Sequence, residues 1–564
     1  MIILTLSTFF ILYVLHSLFR LHRNLQVARA IGLPILLHPY YEDPFIFALS
    51  MSPVGTYIFS NLFPLLDRIF SPADTTPITD RMNFSTTVRR QMVQNRIHEK
   101  YGQVLILVGP NGIGLQVADE EAAKELLGIK VPEGTHGQGA RFPKNAYHYR
   151  ALALYGANVI STEGKEWARH RRFTAGPFNE RNSSLVWRDS LYQAMGMVEK
   201  WQQPPNEPSA SAIIQAPEFQ RHIRALALHV ISASGFGVNL CFTPKQDSSS
   251  TKVSEEDSFF LDDAPPPGFR RTYRHALEYA IHHLINLIFV SQFPDWILRR
   301  SWGFFEDVYV CREEVRTYLN TLIGNERRKI EQQNSDSAHE VDNRRNNLLS
   351  LLVRNEEHHE PQTATETKHE AKSKLQPFNN QEILGNAFLF SLAGHETTAG
   401  TLQFALAMLA LRPAAQDWLH KQLDSMFVTA ANVFGEEFDV EDPATWPYEL
   451  YSRLKGPLAI MYETLRLFPP AGNIPRWTAS NPQTLTYKNK THHLPAYTDV
   501  TLNGFGLHFN ESYWGKDVKD FVPSRWDPDN LDSYLYRYEN LNPPPNTNAN
   551  NDPETTASKE PNIL

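Results

Sequence analysis

The sequence predicts a mainly α-helical protein with small β-sheets and an N-terminal transmembrane helix. Apolar residues between Leu127 and residue 330 recur mostly at helical spacing, among them Trp167, Leu185, Trp187, Leu226 and Leu284. Residues 379–411 form one long apolar run with helix signals at both ends. Met1 to Phe19 contains no Asp, Glu, Lys or Arg, and at about 1.5 Å per residue such a helix spans a hydrocarbon core of about 30 Å.

The elements follow in chain order. Residues 1–19 are read as a retained anchor, because a cleavable signal would need a basic segment in front and small residues behind. Arg20, Arg23 and Arg29 follow the span, which places the C-terminal bulk in the cytosol. Residues 20–50 are read as a linker with a proline hinge at Gly32-Leu33-Pro34. The main domain is expected over 51–540. Within it, Val104 to Val108 and Ile113 to Val117 flank Pro110-Asn111-Gly112 as a hairpin, and Asp119-Glu120-Glu121 opens a helix through Leu127. Polar stretches near 243–267 and 331–376 are read as disordered insertions, and 541–564 as a disordered tail. His358-His359 and His492-His493 are expected to be solvated on polar loops, so no metal site is assigned.

Composition excludes several classes. With 54 Lys and Arg against 62 Asp and Glu, the net charge is −8, and no basic balance points to nucleic acid. Hydrophobic residues make up 42%, enough for a sizeable core. Cys241 and Cys311 are the only cysteines, which excludes a disulfide scaffold and any four-cysteine metal site. This scarcity agrees with a reducing compartment.

The long helix carries chemistry in its middle. Asn379 and Glu382 have capping-box spacing and Arg412-Pro413 ends the run, so a long buried helix is expected. Its centre reads Ala393-Gly394-His395-Glu396-Thr397-Thr398-Ala399-Gly400, with a carboxylate, two hydroxyls and two glycines where packing alone would favour Leu or Ala. Gly394 and Thr397 share a face, so the absent side chain leaves room for a flat ligand while the hydroxyl competes for backbone carbonyls. Further on, Glu463 and Arg466 stand one turn apart on a helix stopped by Pro469-Pro470. Pro523-Ser524-Arg525-Trp526 offers Arg525 to the same buried network.

Taken in order, the anchor, Trp167-Ala168-Arg169-His170-Arg171, Ala-Gly-His-Glu-Thr-Thr, Glu-Thr-Leu-Arg, Ile474-Pro475-Arg476, Tyr513-Trp514-Gly515 and Pro-Ser-Arg-Trp resemble the cytochrome P-450 superfamily of haem-thiolate monooxygenases, membrane-anchored eukaryotic type, over roughly residues 30 to 530. The resemblance implies Thr397 and Glu396 as the oxygen-activating and proton-feeding pair. It implies Trp167, Arg171 and Arg476 at the haem propionates, Ala393 and Gly394 against the haem, and Glu463, Arg466 and Arg525 as a structural triad. It also implies haem b, dioxygen, an apolar small-molecule substrate, an NADPH-dependent flavoprotein reductase and an endoplasmic-reticulum-type membrane.

One departure stands out. The family's iron is held by a cysteine in a Phe-x-x-Gly-x-x-x-Cys-x-Gly loop after Pro-x-Arg, and its thiolate favours O–O cleavage. Residues 526–564 contain no cysteine, so the chain is read as ending before that loop, without its axial metal ligand and last helix. Cys311 has Asp307 where the loop needs Gly; Cys241 follows Gly237, but Ser234, Asn239 and Thr243 break the pattern. The expected function is a monooxygenase that inserts one oxygen atom into an apolar small molecule, with the activity of the chain as written left open by the missing cysteine. The alternative is a non-catalytic, membrane-tethered binding protein without haem.

Overall fold

The computed structural model describes residues 2–38, 53–62, 64–65, 77–85, 87–128, 141–202, 218–242, 259–260, 264–300, 302–335, 347–356 and 377–527. It is mainly helical with small sheets, as expected. The helices used below are α1 (Ile2–Ile31), α2 (Glu120–Leu126), α3 (Gly164–Ala175), α4 (Glu180–Gln202), α5 (Phe219–Phe236), α6 (Tyr273–His282), α7 (Phe304–Ser335), α8 (Asn380–Leu411), α9 (Pro413–Phe434) and α10 (Lys455–Leu467). The strands are β1 (Ile35–Leu37), β2 (Val104–Gly109), β3 (Gly112–Val117), β4 (Asn473–Trp477), β5 (Gln483–Tyr487), β6 (Lys490–Leu494) and β7 (Asp499–Asn503).

The N-terminal expectation is corrected. Among the described residues no helix is long and apolar enough to cross a membrane, so a single-pass anchor and the membrane assignment built on it are not supported. Helix α1 runs on past Phe19 without a break, and its second half is part of the domain. Ala28 and Ile31 are buried with Val104, Val117 and Val500. Asn24 Nδ2 donates to the Gly109 and Pro110 carbonyls at 2.8 and 3.2 Å. Residues 20–31 are therefore helix rather than linker, ended by Gly32 at φ +77°.

The larger sheet has the order β1-β2-β3-β7-β4. Strands β2 and β3 form the expected antiparallel hairpin, with Gly109 opposite Gly112, and β7 adds parallel to β3. Antiparallel pairing with β7 then sets Arg476 of β4 opposite Val500. Strand β2 is buried on both faces, which its unbroken Val-Leu-Ile-Leu-Val run requires. Helix α2 follows, with Asp119 accepting from the Ala122 amide at 3.0 Å. Strands β5 and β6 make a second hairpin through Lys488 and Asn489, both at positive φ. His492 and His493 lie on opposite faces of β6, not on a loop. His492 is buried, with Nδ1 2.9 Å from the Ile31 carbonyl at the end of α1.

The main core joins α6, α7 and the first half of α8, with Tyr273, Tyr318, Phe378 and Phe388 fully buried. The insertions expected near 243–267 and 331–376 are partly corrected. Residues 331–335 complete α7, and Leu348–Arg354 is a helix whose Leu348, Leu349, Leu352 and Val353 belong to this core. Phe260 is buried beside Tyr273 and Tyr318. Residues 243–258, 261–263, 336–346 and 357–376, with His358-His359, and the 541–564 tail lie outside the described residues.

Helix α8 begins with the expected capping box: the Glu382 amide donates to Asn379 Oδ1 at 2.9 Å, and the Asn379 amide to Glu382 Oε2 at 3.0 Å. Its first turns press on the 153–158 segment through two glycines. A Cβ at Gly385 would stand 2.4 Å from the Gly156 carbonyl oxygen, and one at Gly156 2.0 Å from that of Gln381. Asn386 Oδ1 accepts from the Val159 amide at 3.1 Å beside this contact. Beyond it α8 is not buried throughout, as the sequence led us to expect: Phe404 is 47% and Leu411 66% exposed.

Candidate active site

The middle of α8 has two unlike faces. Ala393 and Thr397, one turn apart, are exposed, whereas Ser391, His395 and Ala399 are buried. Thr397 Oγ1 donates to the Ala393 carbonyl at 2.6 Å, the competition for backbone expected of it, yet the helix stays continuous. Farther along, Phe404 stacks on Phe468 beyond the end of α10, with centroids 4.4 Å apart and planes at 2°. Glu396 lies between the two faces, its Oε1 3.6 Å from Nη2 of Arg224 on α5.

Gly394 corrects the sequence reading. A Cβ there would meet the Ile231 side chain of α5 at 3.1 Å, so the absent side chain makes room for helix packing and not for a ligand on the Thr397 face. Helical spacing shows which residues share a side, but not what the neighbouring element puts against it.

Helix α3 divides its basic run. Trp167 and Arg171, spaced one turn apart, are exposed. Arg169 and His170 are buried toward the start of α8. The Arg169 guanidinium holds Glu382, donates to Glu166 Oε2 at 2.7 Å and to the Pro377 carbonyl at 3.1 Å. His170 Nδ1 lies 3.0 Å from Asn386 Nδ2. Glu166, His170 and Glu382 bring three potential metal-ligand atoms together, but Arg169 occupies both carboxylates, so the cluster reads as a tie between α3 and α8.

Arg476, on β4, donates to the Tyr149 hydroxyl at 3.3 Å and to the Pro475 carbonyl at 3.0 Å. Among the described residues no carboxylate pairs with it. Lys144 Nζ stands 5.6 Å from the Trp167 ring centre and donates to the Val159 carbonyl at 3.0 Å. Burial and then the Arg476 charge lower the Lys144 pKa, against the pull of Glu163. Burial raises that of Tyr149, while Arg476 lowers it. Trp167, Lys144, Tyr149 and Arg476 thus form a cationic cluster in which Lys144 stands 3.9 Å from Glu163 Oε2 and Arg476 has no carboxylate partner among the described residues. Lys144 and Tyr149 were missed from sequence because they lie on an irregular segment and a short helix with no periodicity to mark them.

The expected triad is present. Both Glu463 oxygens bond the Arg466 guanidinium, and they also accept from the Val522 amide and Trp526 Nε1, each at 2.9 Å. Arg525 Nε reaches Glu463 Oε1 at 3.4 Å, and its Nη1 donates to the Trp514 carbonyl at 2.7 Å. Arg466 also donates to the His508, Val518 and Asp520 carbonyls. These contacts fasten the segment after β7 to α10.

Neither thiol joins the site. Cys311 is fully buried in α7, with Sγ 3.4 Å from the Ala276 carbonyl, and burial pushes its pKa up to about 12. Cys241 is half-buried, in the segment beyond the end of α5.

The chain is similar to known proteins over most of its length. It is 28% identical over 526 residues to a cytochrome P450 monooxygenase of Penicillium roqueforti, covering 92% of this chain and 80% of that protein. It is 25% identical over 515 residues to one of Arthrobotrys oligospora, covering 91% and 77%. A cytochrome P450 monooxygenase of the phomenoic acid biosynthesis cluster in Leptosphaeria maculans is 23% identical over 568 residues, covering 96% of this chain and 85% of that protein. The family model for cytochrome P450 matches residues 74–541. That range includes the exposed Thr397 face, the cluster at Arg476 and the Glu463 network, and the chain belongs to the cytochrome P450 family, haem monooxygenases that use dioxygen, a redox partner and a small-molecule substrate.

Proposed function

We propose that the chain holds haem b between the Ala393–Thr397 face of α8 and the Lys144–Tyr149–Arg476 cluster, as part of a monooxygenase site for an apolar small molecule. In this reading an NADPH-dependent flavoprotein reductase supplies the electrons. The observation that carries it is Arg476, which has only neutral partners, beside a lysine whose pKa it helps to depress. Arg476, a cation with no carboxylate partner among the described residues, suits a carboxylate of a porphyrin, and charge-assisted bonds fit it best. Trp167 and Arg171 extend the same edge from α3.

When bound, the haem supplies dioxygen activation. The protein's own residues do the rest. Ala393 is small enough to let a flat ring approach α8. Thr397 Oγ1 is parked on the Ala393 carbonyl and is free to turn its proton outward. Glu396, half-exposed and linked to Arg224, carries protons between solvent and that hydroxyl. The phenyl pair Phe404–Phe468 lines the apolar side.

The fit is incomplete at the iron. Neither Cys311 nor Cys241 belongs to the site, so neither supplies the family's thiolate. The same observation favours the second reading, a haem-free binding protein. Titration of the chain with haem b, followed by absorbance, separates the two. Arg476→Ala is expected to weaken binding about tenfold, as loss of a charge-assisted bond does; unchanged affinity would refute the assignment.

A further inference from the structure

Within the Ala393–Gly400 motif, His395 has no task in the reading above. Its imidazole is 0% exposed, on the side of α8 away from Thr397, and neither Nδ1 nor Nε2 closes a hydrogen bond of good geometry. Each buried polar group left without a partner costs about 1–3 kcal/mol, so a leucine would suit a dry site better. Polar groups continue along the helix. Ser391, whose Oγ donates to the Ala387 carbonyl at 2.9 Å, lies one turn before His395 on the same side. The Tyr273 hydroxyl of α6 is close enough to Ser391 and to Ser232 of α5 to be influenced by both. Even so, Tyr273 OH and Ser232 Oγ are buried without a well-formed bond.

Charged groups face the imidazole from each helix. Arg224 comes from α5 and Arg274 from α6, with Glu396 adjacent on α8 itself. Burial first, then the two guanidinium groups, lower the His395 pKa to about 4, while the Arg224 backbone carbonyl pulls the other way. The ring is therefore neutral at physiological pH, with one nitrogen a donor and the other an acceptor. Arg224 and Glu396 stand 3.6 Å apart, too far for a good direct hydrogen bond. Buried polar atoms lacking protein partners are the usual seats of internal water.

We propose that the seam between α5, α6 and α8 holds bound water, and that His395 is a positioning residue which, through that water, sets the Arg224–Glu396 pair. This rests on the role given to Glu396 above. A neutral imidazole suits the task because it can donate on one side and accept on the other without bringing charge into the core.

The test uses the full chain, in crystals that resolve water and in solution with 15N-labelled histidine. Ordered water is expected at about 2.7–3.2 Å from both His395 ring nitrogens, together with magnetisation transfer from water to the imidazole. His395→Gln should keep the water and the Arg224–Glu396 separation, and His395→Leu should lose both. Ring nitrogens bonded only to protein groups, or a leucine variant with the pair undisturbed, would overturn the proposal. If the leucine variant does not fold, the wild-type water positions and the glutamine variant decide. Haem enters neither readout, so a failed haem titration and a dry seam are separate results.

Discussion

Glu463 and Arg466, one turn apart on α10, meet through two near-parallel bonds of 2.8 and 2.7 Å, with neither side chain more than 1% exposed. Among the described residues, the other side-chain hydrogen bonds of the pair go to the segment 508–526, so α10 and that segment are held by one charge centre. Removing one partner of a buried pair strands the other, at about 3–5 kcal/mol. Glu463→Ala is expected to lower unfolding free energy by that amount in chemical denaturation. A loss below about 1 kcal/mol would mean the network is not what joins them.

The glycine pair Gly156 and Gly385 sets how closely α8 approaches the 153–158 segment. Gly385→Ala drives a methyl group into the Gly156 backbone, which cannot rotate away as a side chain would. Overpacking of this kind costs about 1–3 kcal/mol. Gly400→Ala on the same helix meets nothing within 4 Å and is expected to be neutral or slightly stabilising. Thermal denaturation of the two variants distinguishes local packing from a general effect of alanine in α8.

Arg476 and Lys144 are coupled through their charges. Removing the Arg476 charge takes away one of the two causes that lower the Lys144 pKa, so Arg476→Met is expected to move it up. NMR titration of reductively methylated lysines reads the shift directly. No upward movement would place the two cations farther apart in solution.

Acid should destabilise the fold through buried histidines. Burial lowers the pKa of His98 to about 4, as it does for His395. In the unfolded chain these groups bind protons below about 6.5, whereas in the folded protein they stay neutral. The unfolded state therefore gains protons first, and stability falls as pH drops from about 7 to about 4, then levels off for these two groups. Each contributes up to about 3 kcal/mol. His98→Asn should flatten part of this fall while sparing high-pH stability less, because His98 Nε2 lies 2.9 Å from Asn503 Nδ2 and its Nδ1 3.1 Å from the Gly102 carbonyl.

Thr397 makes only a local bond to Ala393, so Thr397→Ala is expected to leave stability within about 0.5 kcal/mol. In a haem-loaded, active form of the protein, the same change should divert oxygen reduction into peroxide. Tight coupling of electrons to product in that variant would count against the role given to Thr397.

Legibility in the sequence followed the range of the interaction. The β2–β3 hairpin and the Asn379–Glu382 capping box are local, and their residues announce them. Helix Leu348–Arg354 was lost because polar neighbours on both sides masked a short apolar run. The hairpin at Lys488-Asn489 lacks the glycine that usually marks such a turn. The charges at Arg20 and Arg23 mask the continuation of helix α1, although Asn24 and Ala28 carry the face that docks on β2. Motifs mark Thr397, Arg476 and the Glu463 triad, and of these the structure brings Glu463, Arg466 and Arg525 together. No motif marks Lys144 and Tyr149, since only folding brings them beside Arg476.

The most direct measurement is the absorption spectrum of the 564-residue chain, purified with excess haem, reduced and exposed to carbon monoxide. Saturable haem binding without a thiolate-type band is expected, because the Lys144–Tyr149–Arg476 cluster is the proposed seat of the propionates and neither Cys241 nor Cys311 belongs to it. A thiolate-type band would contradict the account by showing that one of these cysteines reaches the iron, and absence of saturable binding would contradict the pocket itself.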